Sequence, residues 1–444
     1  MVSETKSSLA QPLLQDGLIQ QDEIAVSVII PAVNEGPNLA ILLPRLNEVL
    51  DDLEVRYEVI IVTKDCDEET SKAAAASGAT VLEQTSRGYG GALLDGFNAA
   101  AGEYYLTMDA DLSHRPTFVA EMWRARHHAD VTIASRYAPG GSAHMSKIRT
   151  IMSRALNAVF RLGISMPVHD LSSGFRIYRA AALEPQSLSG RDFEILEEIL
   201  IKAYCEGWRV QEIPFEYMPS VHGSSTARAR RLGRAYLKSF FPLWKLRNSV
   251  EAADYDNRAY DSVIPLQRYW QRQRCRIARE LVEGQGPVLD VGCGSSRILH
   301  ALPEGSVALD ILIRKLRYAR NSSVPVVQAS GFELPFPDGS FPCVLSSQVI
   351  EHVPKDSPMI DELCRVLAPG GRLVLGTPDY ARREWVYIEK IYAKVAPGGY
   401  ADEHIAHYTR RELLGNLGSR GFVHEATRYI LRGELIMAFR RPAE

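Results

Sequence analysis

Asp109 and Asp111 stand one residue apart just after Tyr104-Tyr105-Leu106-Thr107-Met108, a short β-prone run that follows a helix-like segment from Leu93 to Ala101. Alternation along an extended chain sends both carboxylates to the same side. Two such groups repel each other and lose hydration, a cost that an oxygen-loving divalent cation relieves. Mg2+ or Mn2+ binds through one or two carboxylates together with substrate phosphates. An isolated Asp-x-Asp is more often a solvated turn, so the elements around the pair decide between the two readings.

Those elements read as an open α/β sheet. Val26 to Ile30 is an unbroken apolar run ending at Pro31, as in a parallel strand covered on both faces. Asn34-Glu35-Gly36 then turns into a helix with apolar positions at Leu39, Leu42, Leu43, Leu46, Val49 and Leu50. A second strand, Tyr57 to Asp65, leads into an acidic run through Thr70 that also suits a helix start. Ligands of such sheets bind at the carboxyl edge, which aims Asn34, Glu35 and Asp65 or Asp67 at a nucleotide. Gly88, Gly90 and Gly91 permit close backbone approach, and Arg87 adds positive charge where a diphosphate would lie. Asp130 to Tyr137 reads as a core strand ending in Arg136, whose guanidinium suits a phosphate. Asp170 to Arg176 brings an acid and a second arginine to a turn. From Asp192 to Glu206 the period is that of an amphipathic helix, with Glu194, Glu197 and Glu198 on a solvated face.

In order and spacing these blocks resemble the family 2 inverting glycosyltransferases, most of all the dolichol-phosphate mannose synthase-like branch. The matching residues are Pro31-Asn34-Glu35, Arg87-Gly88-Gly90, Asp109-Ala110-Asp111-Leu112, Ser135-Arg136-Tyr137 and Ser173-Gly174-Phe175-Arg176. They span roughly residues 25 to 240. The resemblance implies a GT-A-like, nucleotide-sugar-binding fold, a GDP- or UDP-linked donor, Mg2+ or Mn2+ on Asp109 and Asp111, nucleoside contact by Glu35, and phosphate contacts by Arg136 and Arg176. The chain departs from the pattern at Thr63-Lys64, where the family has two acids, and at Thr226, where a basic residue follows the equivalents of Gly223 and Ser225.

The second half carries Gly286 to Leu302, a buried strand, a glycine turn and a helix start. Asp290, Gly292 and Gly294 admit a ligand to the backbone, and Asp310 ends the next strand where an acid takes ribose hydroxyls. That much fits a dinucleotide enzyme. Val288-Leu289-Asp290-Val291-Gly292-Cys293-Gly294, Glu333 to Phe341, Val349 to Val353 and Arg365 to Pro378 together resemble the class I S-adenosylmethionine-dependent methyltransferases over roughly residues 265 to 440. The resemblance implies a Rossmann-like domain with S-adenosylmethionine held by Asp290, Gly292, Gly294 and Asp310. Ser330 stands where an acid near the adenine is frequent, and Pro342 where an Asp follows Ser-Phe. His352 follows the fourth strand, where it would deprotonate a hydroxyl acceptor or simply pack under the sheet. His404-x-x-His407 has metal-like spacing without a third ligand in the sequence, and reads as a loop feature.

At 444 residues the chain divides into a tail at 1–23, a glycosyltransferase-like domain at 24–249, a linker at 250–264 and a methyltransferase-like domain at 265–444. Net charge −3 gives no reason to expect nucleic acid. Six cysteines without a CxxC pair fit a reducing cytoplasm. No signal peptide or membrane-spanning run is apparent. Tyr217 to Val250 contains no acid and mixes Arg and Lys with large apolar residues, which suits either the cytoplasmic face of an anionic membrane or packing on its own domain. The expected protein is bifunctional, with nucleotide-sugar and S-adenosylmethionine as ligands and a polyprenyl phosphate as sugar acceptor. The alternative is one domain reduced to a scaffold for the other.

Overall fold

The computed structural model describes residues 23–183, 188–218, 229–395 and 404–443. They form two compact units that part between Arg247 and Asn248.

The first unit contains β1 (Val26–Pro31), α1 (Gly36–Asp52), β2 (Tyr57–Thr63), α2 (Glu68–Ala76), β3 (Thr80–Glu83), α3 (Gly88–Ala99), β4 (Tyr104–Thr107), α4 (Val119–Ala125), β5 (Val131–Ser135), β6 (Ser142–Ala143), α5 (Lys147–Ile164), β7 (Arg176–Arg179), α6 (Ile195–Cys205), β8 (Val210–Pro214), β9 (Glu216–Tyr217) and α7 (Ala229–Asn248). The main sheet runs β3-β2-β1-β4-β7-β5-β8, with β7 antiparallel to its neighbours. β1 pairs in parallel with both β2 and β4, and the register Ile29↔Thr107 carries Pro31 and Asp109 to the same edge. Val28, Ile30, Leu39, Leu42, Leu43, Leu46, Leu106 and Phe175 are buried together, which rigidifies the strands whose ends bear the acids.

The second unit contains α8 (Tyr255–Ala259), α9 (Pro265–Val282), β10 (Val288–Val291), β11 (Val307–Asp310), α10 (Ile313–Ala319), β12 (Val326–Gln328), β13 (Phe341–Ser347), α11 (Met359–Val366), β14 (Leu367–Pro378), α12 (Arg383–Val395), α13 (Arg410–Ser419), β15 (Val423–Ile430) and β16 (Glu434–Arg440). Its sheet order is β12-β11-β10-β13-β14-β16-β15, parallel except that β16 runs against both neighbours. Both α/β architectures expected from the sequence are present: a GT-A-like domain, then a Rossmann-like one.

Three local differences have physical reasons. The run Gly88 to Gly91 is not a loop but the first turn of α3, and its amide groups are occupied, since the N–H groups of Gly90 and Gly91 donate to the Arg191 carbonyl. The glycines are needed because a Cβ on Gly90 would come within 2.7 Å of the Gly190 carbonyl oxygen. Past β10 the chain makes only a 3₁₀ turn, Arg297–Ala301, so the helix amino terminus expected there is missing. The stretch expected as a linker contains α8, and its Asp256 packs on the glycine turn of the second unit.

Candidate active sites

In the first unit the acids converge as the topology requires. Asp109 Oδ1 accepts from the Tyr89 hydroxyl at 3.2 Å, and Asp111 Oδ1 accepts from the Ser113 N–H at 3.1 Å. Enclosure in the cleft holds Asp109 above the usual carboxylate range. The neighbouring Asp111 charge adds to this, while His114 and Tyr89 work against it. Glu35 is also raised, first by burial and then by the charges of Asp111 and Asp109, although Asn38 donates to it. Three carboxylates therefore feel one another at the ends of β1 and β4. Such a set fits a hard divalent cation whose remaining ligands are substrate oxygens and water.

His114 was not singled out in the sequence, although it lies three residues past Asp111. The Asp109 N–H donates to His114 Nδ1 at 2.9 Å, which assigns the ring proton to Nε2, 3.7 Å from Asp109 Oδ2. Burial lowers its pKa, against the pull of the Asp109 and Asp111 charges. It stacks on Phe175 with ring centroids 4.7 Å apart. The Thr107 hydroxyl donates to the Gly174 carbonyl, and a Cβ on Gly174 would lie 2.6 Å from the Tyr89 hydroxyl. The Ser-Gly-Phe-Arg block thus supports the Asp109 loop through Gly174 and Phe175.

Arg176 does not meet the expectation of a phosphate contact. It is 0% exposed, and its guanidinium donates to the carbonyls of Leu171 and Leu196, tying the turn before β7 to the first turn of α6. Arg136 is likewise engaged: Nε and Nη2 each lie 2.7 Å from an Asp170 oxygen, and Nη2 also reaches Ser172. Hydrogen bonds and charge from Arg136 hold Asp170 below the usual range despite burial. The other expected contacts stand at the edge. Pro31 ends β1 opposite Val62, Asp65 is exposed after β2, and Arg87 is exposed at the start of α3. Asp67 is used as the cap of α2, where its carboxylate accepts from the Thr70 N–H. Gly223, Ser225 and Thr226 lie outside the described residues.

The expectation of a solvated acidic face on α6 is overturned. Glu194, Glu197 and Glu198 are 9%, 1% and 4% exposed. Glu194 accepts from the N–H groups of Arg191 and Asp192, and Glu198 accepts from Ser189 and Gly190 while pairing with Lys202. These acids shape the loop against which α3 starts. A helical period locates an apolar stripe, but it cannot reveal that a loop closes over the opposite face.

In the second unit a cavity of about 820 Å³ opens at the carboxyl ends of β10, β11 and β13, within the size range of small-molecule sites. Asp290, Gly292, Gly294 and Asp310 all line it, as do His352 and Asp256. Gly292 and Gly294 have φ of +76° and +53°, and a Cβ on Gly292 would sit 2.3 Å from Val349. Asp310 accepts from the N–H groups of Gly294 and Leu312, both at 2.9 Å. Asp290 is buried with Oδ2 lacking a hydrogen-bond partner, and burial pushes its carboxyl up to about 7, Asp310 adding to the effect. Backbone cradle, buried acids and an orphaned carboxylate oxygen suit a nucleoside-bearing cofactor. Burial raises Asp256 too, but Lys315 and Ser295 outweigh it, and the group lies below the usual range.

Two parallel-rich sheets with acids gathered at their carboxyl edges define a tandem α/β enzyme. Residues 27–185 match the Glycosyl transferase family 2 model and residues 289–375 match that of a methyltransferase domain, so the chain carries these two domains in that order. It is 32% identical over 235 residues to a dolichol-phosphate mannosyltransferase of Pyrococcus furiosus, covering 51% of this chain and 65% of that protein. It is 27% identical over 228 residues to the low-salt glycan biosynthesis hexosyltransferase Agl6 of Haloferax volcanii, covering 50% of this chain and 51% of that protein. The chain thus spans between half and two thirds of these relatives' lengths. Among solved structures, it is similar to the glucosyl-3-phosphoglycerate synthase of Mycobacterium tuberculosis with Mn2+, UDP and glucosyl-3-phosphoglycerate (TM-score 0.40, 17% identity, 50% of this chain, 80% of that one). It is also similar to a methyltransferase from Bacillus halodurans (TM-score 0.32, 19% identity, 38% of this chain, 99% of that one).

Glu197 yields a pH prediction. Burial pushes its carboxyl up to about 8, and neither oxygen has a hydrogen-bond partner. Its folded pKa exceeds the unfolded one, so its contribution to stability is complete below about 4.5 and is lost as pH rises through about 8. Glu197→Gln should flatten the decline in stability of the first unit between those values and stabilise it by a few kcal/mol at pH 8. Urea unfolding at pH 5 and pH 8 measures this, and equal pH slopes in both proteins would rule it out.

Proposed function

We propose that the first domain transfers a sugar from a GDP- or UDP-linked donor to a polyprenyl-phosphate-type acceptor, using Mg2+ or Mn2+ on Asp109 and Asp111. The second domain transfers a methyl group from S-adenosylmethionine, with the glycan or glycolipid as its acceptor. The convergence of Glu35, Asp109 and Asp111 at one sheet edge carries the first reading. The cation would neutralise charge developing on the leaving diphosphate. Tyr89, Ser113 and His114 hold the two carboxylates in place, and Asp65, Arg87 and Glu35 are the edge residues facing a nucleotide.

Two observations support an anionic lipid acceptor. A phosphate monoester is already ionised near neutral pH and attacks without a general base, and the α6 carboxylates are committed to loop contacts or enclosed. The name of the Pyrococcus relative points to the same acceptor class. The surface of α5 and α7 supports action at a membrane. Phe160 packs on Tyr236 and Phe240, while Ile148, Ile151, Leu162 and Phe241 are 73%, 67%, 77% and 68% exposed beside Lys147, Arg149, Arg161, Lys238 and Lys245. Exposed apolar side chains among cations suit the headgroup region of an anionic leaflet on the cytoplasmic side. No helix among the described residues is long and apolar enough to cross a membrane.

Bound S-adenosylmethionine would supply an electrophilic methyl group. Gly292 and Gly294 leave room for it at the backbone, Asp290 bounds the same space, and Asp310 presents a carboxylate to ribose hydroxyls. His352 brings an imidazole to the same cavity.

The decisive experiment offers the enzyme polyprenyl phosphate and the matching polyprenol at equal concentration with a panel of sugar nucleotides. Transfer should favour the phosphate and fall by at least about 100-fold in Asp109→Asn and Asp111→Asn. Full activity in either variant or in excess chelator would remove the metal, and preference for the alcohol would show that a base exists. Leu162→Glu with Phe241→Glu should weaken cosedimentation with anionic vesicles while sparing transfer to a short water-soluble acceptor; unchanged cosedimentation would dismiss the surface reading. Asp310→Ala should weaken S-adenosylmethionine binding by about 1–3 kcal/mol, leaving donor-sugar affinity unchanged. Calorimetry that finds no S-adenosylmethionine binding to the unaltered protein would favour the scaffold alternative.

A further inference from the structure

Bordering the cavity of the second unit is a group of side chains that the cofactor contacts do not use, two of whose members, His352 and His404, line it. Glu351 and His352 lie on the 3₁₀ turn Ile350–His352 just after β13, and His404 comes from the segment before α13. The two segments are pinned together, since the N–H groups of Ile405 and Ala406 both donate to the Glu351 carbonyl, at 2.8 and 2.9 Å. One donor atom from each of Glu351, His352 and His404 lies within 4.8 Å of the others. The two imidazole centroids are 5.1 Å apart.

Three features distinguish this cluster from chance proximity. Glu351 is 0% exposed and neither carboxylate oxygen has a partner at full hydrogen-bond geometry; the Thr377 hydroxyl lies close enough to favour the ionised form, and Arg274 and Glu434 act on it through their charge. Burial pushes this carboxyl up to about 8, so it is held protonated, and a cation binding beside it would displace that proton. His404 is oriented from behind: its Nδ1 lies 3.0 Å from Glu389 and 2.7 Å from the Tyr380 hydroxyl, which itself donates to Glu389 at 2.9 Å. A carboxylate on Nδ1–H assigns the unprotonated nitrogen to Nε2, the arrangement that commonly backs metal-bound histidines. Finally, His352, Glu389 and His404 line the same cavity as Gly292 and Asp310, so an ion here would share the space of the transferred group. His407, by contrast, stacks on Tyr380 at 4.0 Å and is not one of the three.

We propose that Glu351, His352 and His404 bind a divalent first-row metal ion, with Glu389 orienting His404, and that the open coordination positions take oxygen atoms of the methyl acceptor. Two imidazoles and one carboxylate suit Mn2+, Fe2+ or Zn2+ better than Mg2+ or Ca2+, which prefer oxygen throughout. The acceptor is then of the hydroxyl class, and a vicinal diol of a sugar is the natural bidentate ligand. Coordination acidifies the hydroxyl. Its O–H bond breaks with the proton leaving to solvent, and the C–O bond forms as the carbon–sulfur bond of the sulfonium donor breaks with its electron pair on sulfur. His352 is a ligand in this scheme rather than the base. The inference about the acceptor rests on the methyltransferase reading; the metal site does not.

The test uses the full chain carrying Asp109→Asn and Asp111→Asn, to remove the other cation site, after chelator treatment. Titration with Mn2+ and with Zn2+ by calorimetry should show one site. His404→Ala and Glu351→Gln should each weaken it at least 100-fold, and Glu389→Gln should weaken it about 10- to 100-fold without abolishing it. S-adenosylmethionine affinity should change less than threefold in all of them, which also shows that the second unit is folded. The same loss of one bound ion should appear when His404→Ala is placed in the otherwise unaltered chain. Absence of binding to the Asp109→Asn, Asp111→Asn protein, or binding that survives His404→Ala, overturns the site. Metal binding without S-adenosylmethionine binding keeps the site and removes the methyl-transfer role, whereas the reverse removes the site alone.

Discussion

Carboxylates crowded at the carboxyl edge of a parallel sheet are the constraint from which the rest of both domains follows. In the first, the Asp111 charge makes both Glu35 and Asp109 harder to ionise, and Arg136, the arginine whose charge reaches Asp109, is already engaged elsewhere. Arg136 is taken by Asp170 in a two-pronged pair. Had Arg136 instead faced Asp109 and Asp111 directly, the pair would be satisfied within the protein and would have little affinity for an added ion. Charge left unbalanced at the edge would give the metal and diphosphate of the proposed reaction their place.

The supporting structure keeps that imbalance from collapsing. Tyr89 stacks on Phe193 and donates to Asp109, Gly174 allows the hydroxyl to approach, and Phe175 braces His114. Arg176 fastens the Leu171 and Leu196 carbonyls behind this layer. Its full burial makes it a positioning residue, and the same block that resembles a phosphate contact in sequence proves to be the foundation of the acid loop. In the second unit an equivalent fastening is made by Glu434, which is 0% exposed and accepts from Trp270 and Arg274, joining α9 to the start of β16.

The strands were readable because parallel strands covered on both faces leave continuous apolar runs, as from Val26 to Ile30 and from Val288 to Val291. The residues at their ends followed from chain direction alone, which is why Glu35, Asp109, Asp111, Asp290 and Asp310 could be named. What was hidden depends on contacts distant in sequence. Asp256 gives no local sign that it will cover Gly294, the Arg191 carbonyl that occupies the α3 amides lies about a hundred residues from them, and α6 looked solvated because its period says nothing of the loop above it. His404 was visible as half of a histidine pair, but its companions come from the turn after β13 rather than from His407.

The two domains resolve their acidic edges differently, and the difference bears on chemistry. Asp109 and Asp111 retain partial exposure, so in the proposed reaction an ion would arrive with its substrate and leave with the diphosphate. Asp310 and Asp256 are instead satisfied by the protein itself, through backbone N–H groups for the former and through Lys315 and Ser295 for the latter. That arrangement suits a neutral hydroxyl-bearing ligand, because a preorganised carboxylate can accept from a ribose without needing a counterion. Among the described acids lining or underlying that cavity, Glu351 alone is fully buried with both oxygens lacking a partner at full hydrogen-bond geometry. Among the described residues, this acid beside two histidines is the position in the second domain where the arrangement proposed for the first, an acid left for an incoming cation, recurs.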